Sequence, residues 1–177
     1  VGTVDAYWEA HMDLLASPPS MNLNDRTWII HTRSEERPPV RIARDAKIAD
    51  SLITDGAVIA DGAVVERSVL SPGVYVGPNA VVRESVILND AYIEAGAVVE
   101  RCVIDKIAVI GHNARVGKIN PMGDLDITCI GKNTHIPPGF TIGSGCITGT
   151  DVRPEQFAQF ADKTVPAGTA VGYERRK

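Results

Sequence analysis

One period governs the middle of the chain. Aliphatic residues stand at Ile42, Ile48, Ile53, Ile59, Val65, Leu70, Val76, Val82, Ile87, Ile93, Val99, Ile104, Ile110 and Val116, in steps of five or six, and any three successive steps sum to 17. An α-helix repeats about every 3.6 residues and a lone strand about every two, so neither sustains this spacing. A three-sided coil of 17 residues does: Ile42 lies under Ile59, and Val76, Ile93 and Ile110 follow. Each short strand then pairs in parallel with its counterpart one coil later.

A second column supports the register. Two residues before the ladder positions from Ile48 onward stand Ala46, Ser51, Ala57, Ala63, Ser68, Val74, Ala80, Ser85, Ala91, Ala97, Cys102, Ala108 and Ala114, all small or β-branched. A large and a small residue two apart share one strand face, so both point inward: the first fills a narrow core and the second lets the chain turn a corner. Gly, Asp, Asn and Pro in SPGV, GPNA and EAGA supply the bends. Composition agrees, since 20 Val and 17 Ile against 7 Leu favour strands over a helical bundle.

The flanks differ in kind. Thr3 can N-cap a helix that carries Asp5 in its first turn, with Val4, Tyr7, Trp8, His11, Met12 and Leu15 at helical spacing. The expected organisation is a helix over residues 1–16, a linker over 17–40 with a short strand near Trp28 to Thr32, a parallel β-helix over 41–150, and a cap and tail over 151–177. After Val116 the period breaks across GKINPMGDLDIT, and Ile130, Ile136, Ile142 and Ile147 resume it for one more coil. RPEQFAQFA, with Pro154 at a first helical position, would cover the last coil with Phe157 and Phe160.

Several functions are disfavoured at once. A net charge of −4 offers no basic stripe for nucleic acid, and no apolar run is long enough to cross a membrane. Three cysteines without C-x-x-C spacing, and no signal peptide, point to the cytoplasm. The opening residues read as the interior of a longer polypeptide.

The six-residue pattern resembles the hexapeptide repeat of left-handed parallel β-helices, and the handedness rests on that resemblance alone. The flanks narrow it. VGTVDAYWEAHMDLLA, NLNDRTWIIHT, DSLITDGAVI, VERSVLSPGV and VERCVIDK together resemble the C-terminal part of the bacterial ADP-glucose pyrophosphorylase (glucose-1-phosphate adenylyltransferase) family, from Val1 to about Gly117. Beyond Gly117 the CIGKNTHIPPGFTIG coil departs from that pattern. The resemblance implies an enzyme that joins ATP and glucose 1-phosphate into ADP-glucose and pyrophosphate, with Mg²⁺ held in a preceding catalytic domain absent from this chain, and no cofactor or metal here. It also implies contact with that domain, a homo-oligomer (a tetramer in the family), and a small anionic metabolite as regulator.

Guanidinium forks bind phosphate and carboxylate bidentately. Arg33, Arg37 and Arg41 recur every four residues from the linker into the first coil and Arg44 follows, so these four are the candidate effector-binding residues. The plainer reading is solvated linker charge offset by Glu35 and Glu36. No catalytic residue is expected in this chain. The rival function is a stand-alone hexapeptide acyltransferase with His112 or His135 as general base. It would need a loop projecting beside such a His, and the ladder from Ile42 to Val116 has no insertion. Cys102 falls in the small inward column, while Cys129 and Cys146 directly precede ladder isoleucines and should point outward.

Overall fold

The computed structural model describes residues 2–23, 25–29, 35–118 and 127–173. Three parallel sheets wrap one core. Sheet A stacks Arg41–Ile42, Val58–Ile59, Tyr75–Val76, Tyr92–Ile93, Val109–Ile110 and His135–Ile136. Sheet B runs through seven strands from Lys47–Ala49 to Thr164–Val165, and sheet C through seven from Leu52–Ile53 to Ala170–Val171. The register is the one the spacing requires, Ile42 on Ile59, Ile59 on Val76 and Ile93 on Ile110.

The two inward columns form the core. Ile59, Val65, Leu70, Val76, Ile87, Ile93, Ile104 and Ile110 are fully buried, as are Ala57, Ala63, Ala80, Ala91, Ala97 and Ala108. The serines of the small column have their own cause. At the corner between sheets B and C the chain passes through left-handed residues Asp50, Arg67, Glu84 and Arg101 (φ +43° to +54°), which interrupts backbone pairing. Ser51, Ser68 and Ser85 repair it: the backbone N–H of Ser68, Ser85 and Cys102 donates to the serine hydroxyl one coil earlier, at 3.2, 3.2 and 3.0 Å. The Ser68 and Ser85 hydroxyls in turn donate to Glu66 and Arg83 carbonyls, so no polar atom of this buried column is left over.

Helix α1 (Val4–Asp13) begins at Thr3, whose hydroxyl accepts from the Ala6 N–H at 3.2 Å, and it ends three residues before the expected Ala16. Its Trp8 and Met12 pack against Val86 and Ile127, with Val69, Leu88, Val103 and Cys129 around them, on the outer face of sheet C. Trp8 Nε1 donates to the Glu84 carbonyl at 2.7 Å, and the Arg101 guanidinium lies 5.1 Å from the indole centroid.

Several expectations need correction. Cys146 does not point outward: it is buried in the core, and its thiol donates to the Pro166 carbonyl. Ile147 pairs with outward Cys129, so Thr148 is the inward residue and the last ladder step is six, not five. Ile147 is aliphatic yet lies on the outer face, a case that hydropathy alone does not separate from core. The strands also continue past residue 150: after a 3₁₀ turn at Pro154–Phe157, Thr164–Val165 pairs with Thr141–Ile142 and Ala170–Val171 with Ile147–Thr148. Finally, Thr128–Ile130 pairs with Cys102–Ile104, 26 residues earlier instead of 17, so the irregular stretch is a nine-residue insertion at a corner. Residues 119–126 within it lie outside the described set, as do 30–32 of the expected linker strand; Trp28 and Ile29 are exposed and not in a strand.

The two ends are unlike. Phe157 is fully buried and meets Phe140 edge-on at 5.8 Å, closing the C-terminal end. Among the described residues no layer lies beneath the first coil, and its inward Ile42 and Ile48 are 54% and 36% exposed.

Two outcomes test this packing. Ile142 is inward and Thr141, its neighbour, is outward and exposed. Ile142→Asp should lower the melting temperature by about 10 °C or more, since it leaves an unpaired charge in the core, whereas Thr141→Lys should move it by about 2 °C at most. Equal melting temperatures would place the register elsewhere. Burial raises the thiol pKa of Cys102, of Cys146, and of Cys129 to about 11, the last helped by Asp5. Unfolded thiols ionise near about 8.5, so above that pH the folded chain keeps protons the unfolded chain has lost, and stability should fall toward pH 11. Thermal melts across this window should show a shallower decline for Cys129→Ala.

Candidate functional site

The structure describes three of the four candidate arginines, and they stand in different states. Arg33 lies outside the described residues. Arg37 is already committed: Nη1 and Nη2 donate to the two Asp90 carboxylate oxygens at 2.5 and 2.9 Å, and Nε and Nη2 donate to Glu35 Oε2 at 3.2 and 2.7 Å. Both carboxylates hold its guanidinium protonated well beyond the usual arginine range.

Glycine makes room for this reach. A Cβ on Gly56 would stand 3.0 Å from Arg37 Cδ, and a Cβ on Gly73 would collide with Arg37 Nη1 and Asp90 Oδ1. The linker is therefore laid along the corner between sheets C and A, where Gly56 N–H also donates to the Pro38 carbonyl at 2.7 Å. Arg41, on the first strand of sheet A, and Arg44, at the next corner, are both exposed and make no ion pair among the described residues.

Sequence reasoning missed a second feature. A cavity of about 540 Å³ opens between the start of α1 and sheet C, lined by Thr3, Val4, Tyr7, Leu88, Val103, Asp105, Cys129 and Ile130 among others. The available signal was the apolar outward column Val69, Val86, Val103, which a solvated sheet face would not carry. Burial, then Asp105, raises the Tyr7 hydroxyl above its ordinary value. Nothing here is set up as a nucleophile, since the Cys129 thiol is pushed up to about 11.

Among the described residues no histidine ring is held by a carboxylate that would orient it as a general base. His112 is exposed at a corner, its ring beside the Asn113 amide at 2.9 Å, and its backbone N–H donates to Glu94 Oε2. His135 lies on a strand on the outer face of sheet A, and His11 Nδ1 lies 2.8 Å from the Tyr7 carbonyl. Among the described residues no three His, Cys, Asp or Glu side chains converge as a metal site would need, and no helix is long and apolar enough to cross a membrane.

Comparison with known proteins agrees with this architecture. Glucose-1-phosphate adenylyltransferase of Thermomicrobium roseum is 44% identical over 97% of this chain and 41% of its own length. That of Thermotoga maritima is 46% identical over 97% of the chain and 41% of its length, and that of Acidothermus cellulolyticus is 49% identical over 42% of the chain. The chain thus spans about two-fifths of the length of the curated relatives that match it throughout. The family model described as GlmU-like, C-terminal hexapeptide, matches residues 38–126, the stretch that holds most of the coils, and the chain belongs to that family.

Proposed function

We propose that this chain is the C-terminal β-helix part of a cytoplasmic glucose-1-phosphate adenylyltransferase, and that it serves assembly and regulation, not catalysis. The observation that carries the reading is identity of 44–46% across 97% of the chain to relatives of that name. Their name describes transfer of an adenylyl group to glucose 1-phosphate. The chemistry is assigned to the part of the relatives that this chain, at 41% of their length, does not span.

Within this reading the arginines divide. Arg37, saturated by Glu35 and Asp90, anchors the linker to the coils. Arg41 and Arg44, exposed and without carboxylate partners among the described residues at the open first coil, are the guanidinium groups left to hold a small phosphorylated or carboxylated effector, with Arg33 upstream. An anion held there can favour one placement of the β-helix against the rest of the enzyme. The acyltransferase alternative has no support in these relatives.

The purified chain should release no pyrophosphate from ATP and glucose 1-phosphate; turnover would contradict the assignment. In the full-length enzyme, Arg41→Ala and Arg44→Ala should each raise the effector concentration for half-maximal response about tenfold, the worth of one charge-assisted contact, with unstimulated turnover largely kept. Arg37→Ala should instead lower the melting temperature. Wild-type effector curves for both Arg41→Ala and Arg44→Ala would leave these residues as solvated charge.

A further inference from the structure

The three outer faces of the coil are not equivalent. Sheet C lies under α1. On sheet B the Arg83 guanidinium is paired with Glu66 at 2.7 Å and with Glu100 at 3.4 Å. Sheet A leaves an aromatic pair uncovered. Its outward column runs Val58, Tyr75, Tyr92, Val109 and His135 in register, and the two tyrosine rings stack at a centroid distance of 4.2 Å and an angle of 11°.

Stacking along the column covers one face of each ring with the other ring. The second face of Tyr92 looks the opposite way, toward the coil of Val109, whose short side chain does not screen it. Tyr92 is accordingly 43% exposed. Neighbouring strands lie about 4.8 Å apart, so the backbones of Tyr92 and His135, two coils apart, stand about 10 Å from each other with Val109 as the floor between them. That width suits a saturated ring, which is thicker than an aromatic one.

A cavity of about 260 Å³ adjoins this ring, lined by Tyr75, Pro78, Tyr92, Glu94, Ala95 and His112. Its polar groups are held in place by their neighbours. Glu94 Oε2 accepts from the His112 backbone N–H at 2.6 Å, which draws the carboxylate from the coil of Tyr92 toward that of Val109. The Asn113 amide nitrogen, which can only donate, lies 2.9 Å from His112 Nε2, so Nε2 accepts and Nδ1 carries the ring proton. Burial, then Tyr75 and Glu94, raises the Tyr92 hydroxyl pKa, so the phenol keeps its proton at neutral pH.

We propose that this cleft binds a neutral pyranose, a glucosyl unit, with one sugar face against the uncovered face of Tyr92 above Val109 and its hydroxyls on Glu94, the Tyr92 hydroxyl and His112 Nδ1. An aromatic face is electron-rich and meets the weakly positive C–H groups of a sugar ring. Sugar hydroxyls both donate and accept, and the cleft offers a carboxylate beside an O–H and an N–H. An anion fits poorly, because the lining holds Glu94 and neither Lys nor Arg. An organic cation would meet a single carboxylate already bonded to a backbone N–H, and would leave the two donors without acceptors. The pyranose class follows from the cleft; its being glucosyl rests on the adenylyltransferase reading.

The test is a titration of this chain with maltohexaose, a linear glucan, followed by calorimetry and by the tyrosine ring signals in NMR. Saturable binding is expected with a dissociation constant on the order of 1 mM, as a shallow cleft with few contacts allows. Tyr92→Ala and Glu94→Gln should each weaken it about tenfold, whereas Tyr92→Phe should keep it within about threefold. Val109→Phe, which fills the floor of the cleft, should abolish it. All these substitutions are on the outer face, and unchanged circular dichroism and melting temperature should accompany them. Methyl α-glucoside should compete better than methyl α-galactoside, and tetramethylammonium should not compete. No saturation by about 20 mM sugar, binding indifferent to Tyr92→Ala and Val109→Phe, equal competition by the two glycosides, or displacement by tetramethylammonium would each overturn the proposal. Adenylyl transfer by the full-length enzyme tests the adenylyltransferase reading separately, so the two failures are distinguishable.

Discussion

Everything in this structure depends on the hydrogen-bonded stacking of one coil on the next. A single 17-residue coil has three strands of two or three residues and no face it can bury against itself. Apart from the turn bonds at its corners, its backbone N–H and C=O groups are satisfied by the coils before and after it, and its two inward columns become a core only when stacked. Stability therefore accrues by nearest neighbours, and a defect in one coil is felt in the adjacent ones. The same constraint explains why so few kinds of residue occupy the interior. The cross-section is constant from coil to coil, so a large aliphatic and a small partner recur with little freedom to exchange.

Corners and ends escape that constraint, and that is where the chain's particular features lie. A corner must pass through the left-handed region, and the residues there are Gly, Asn or Asp in most coils, with serine hydroxyls mending the ladder beside Arg67 and Glu84. The glycines at 56 and 73 do more than bend the chain, because their missing side chains leave the channel in which Arg37 runs to Asp90. One end is closed by Phe157 and the other leaves Ile42 and Ile48 partly open. The charged linker thus enters at the less finished end of the solenoid.

Periodicity makes the coils legible from sequence, because an inward position that recurs every 17 residues leaves the same mark at every turn. It is least informative where a side chain's role does not repeat. Ile147 reads as core because it is aliphatic, although Thr148 beside it points in and accepts a hydrogen bond from the Gly131 N–H at 2.9 Å. The insertion before Ile130 registers as a break, and only strand pairing shows that the chain there is nine residues longer than one coil. The arginines are legible as a group by spacing, but not by state: the partner that occupies Arg37 is 53 residues away, three coils along nearly the same corner. The seat of α1 is likewise hidden, since its apolar stripe says that it docks and not on which of three faces.

That choice of face follows from the outward columns. Sheet C offers Val69, Val86, Val103 and Cys129, a flat apolar strip that Trp8 and Met12 cover, while Glu84 and Arg101 at its border supply a carbonyl for the indole N–H and a cation for its ring. On sheet B the Arg83 guanidinium pairs with both Glu66 and Glu100, and covering that face would desolvate these charges. Sheet A has neither a helix over it nor a closed charge ladder among the described residues, and it carries stacked tyrosines between valines. A solenoid repeats its interior and varies its exterior, so the outward columns, read face by face, carry what distinguishes this chain from any other stack of the same coils.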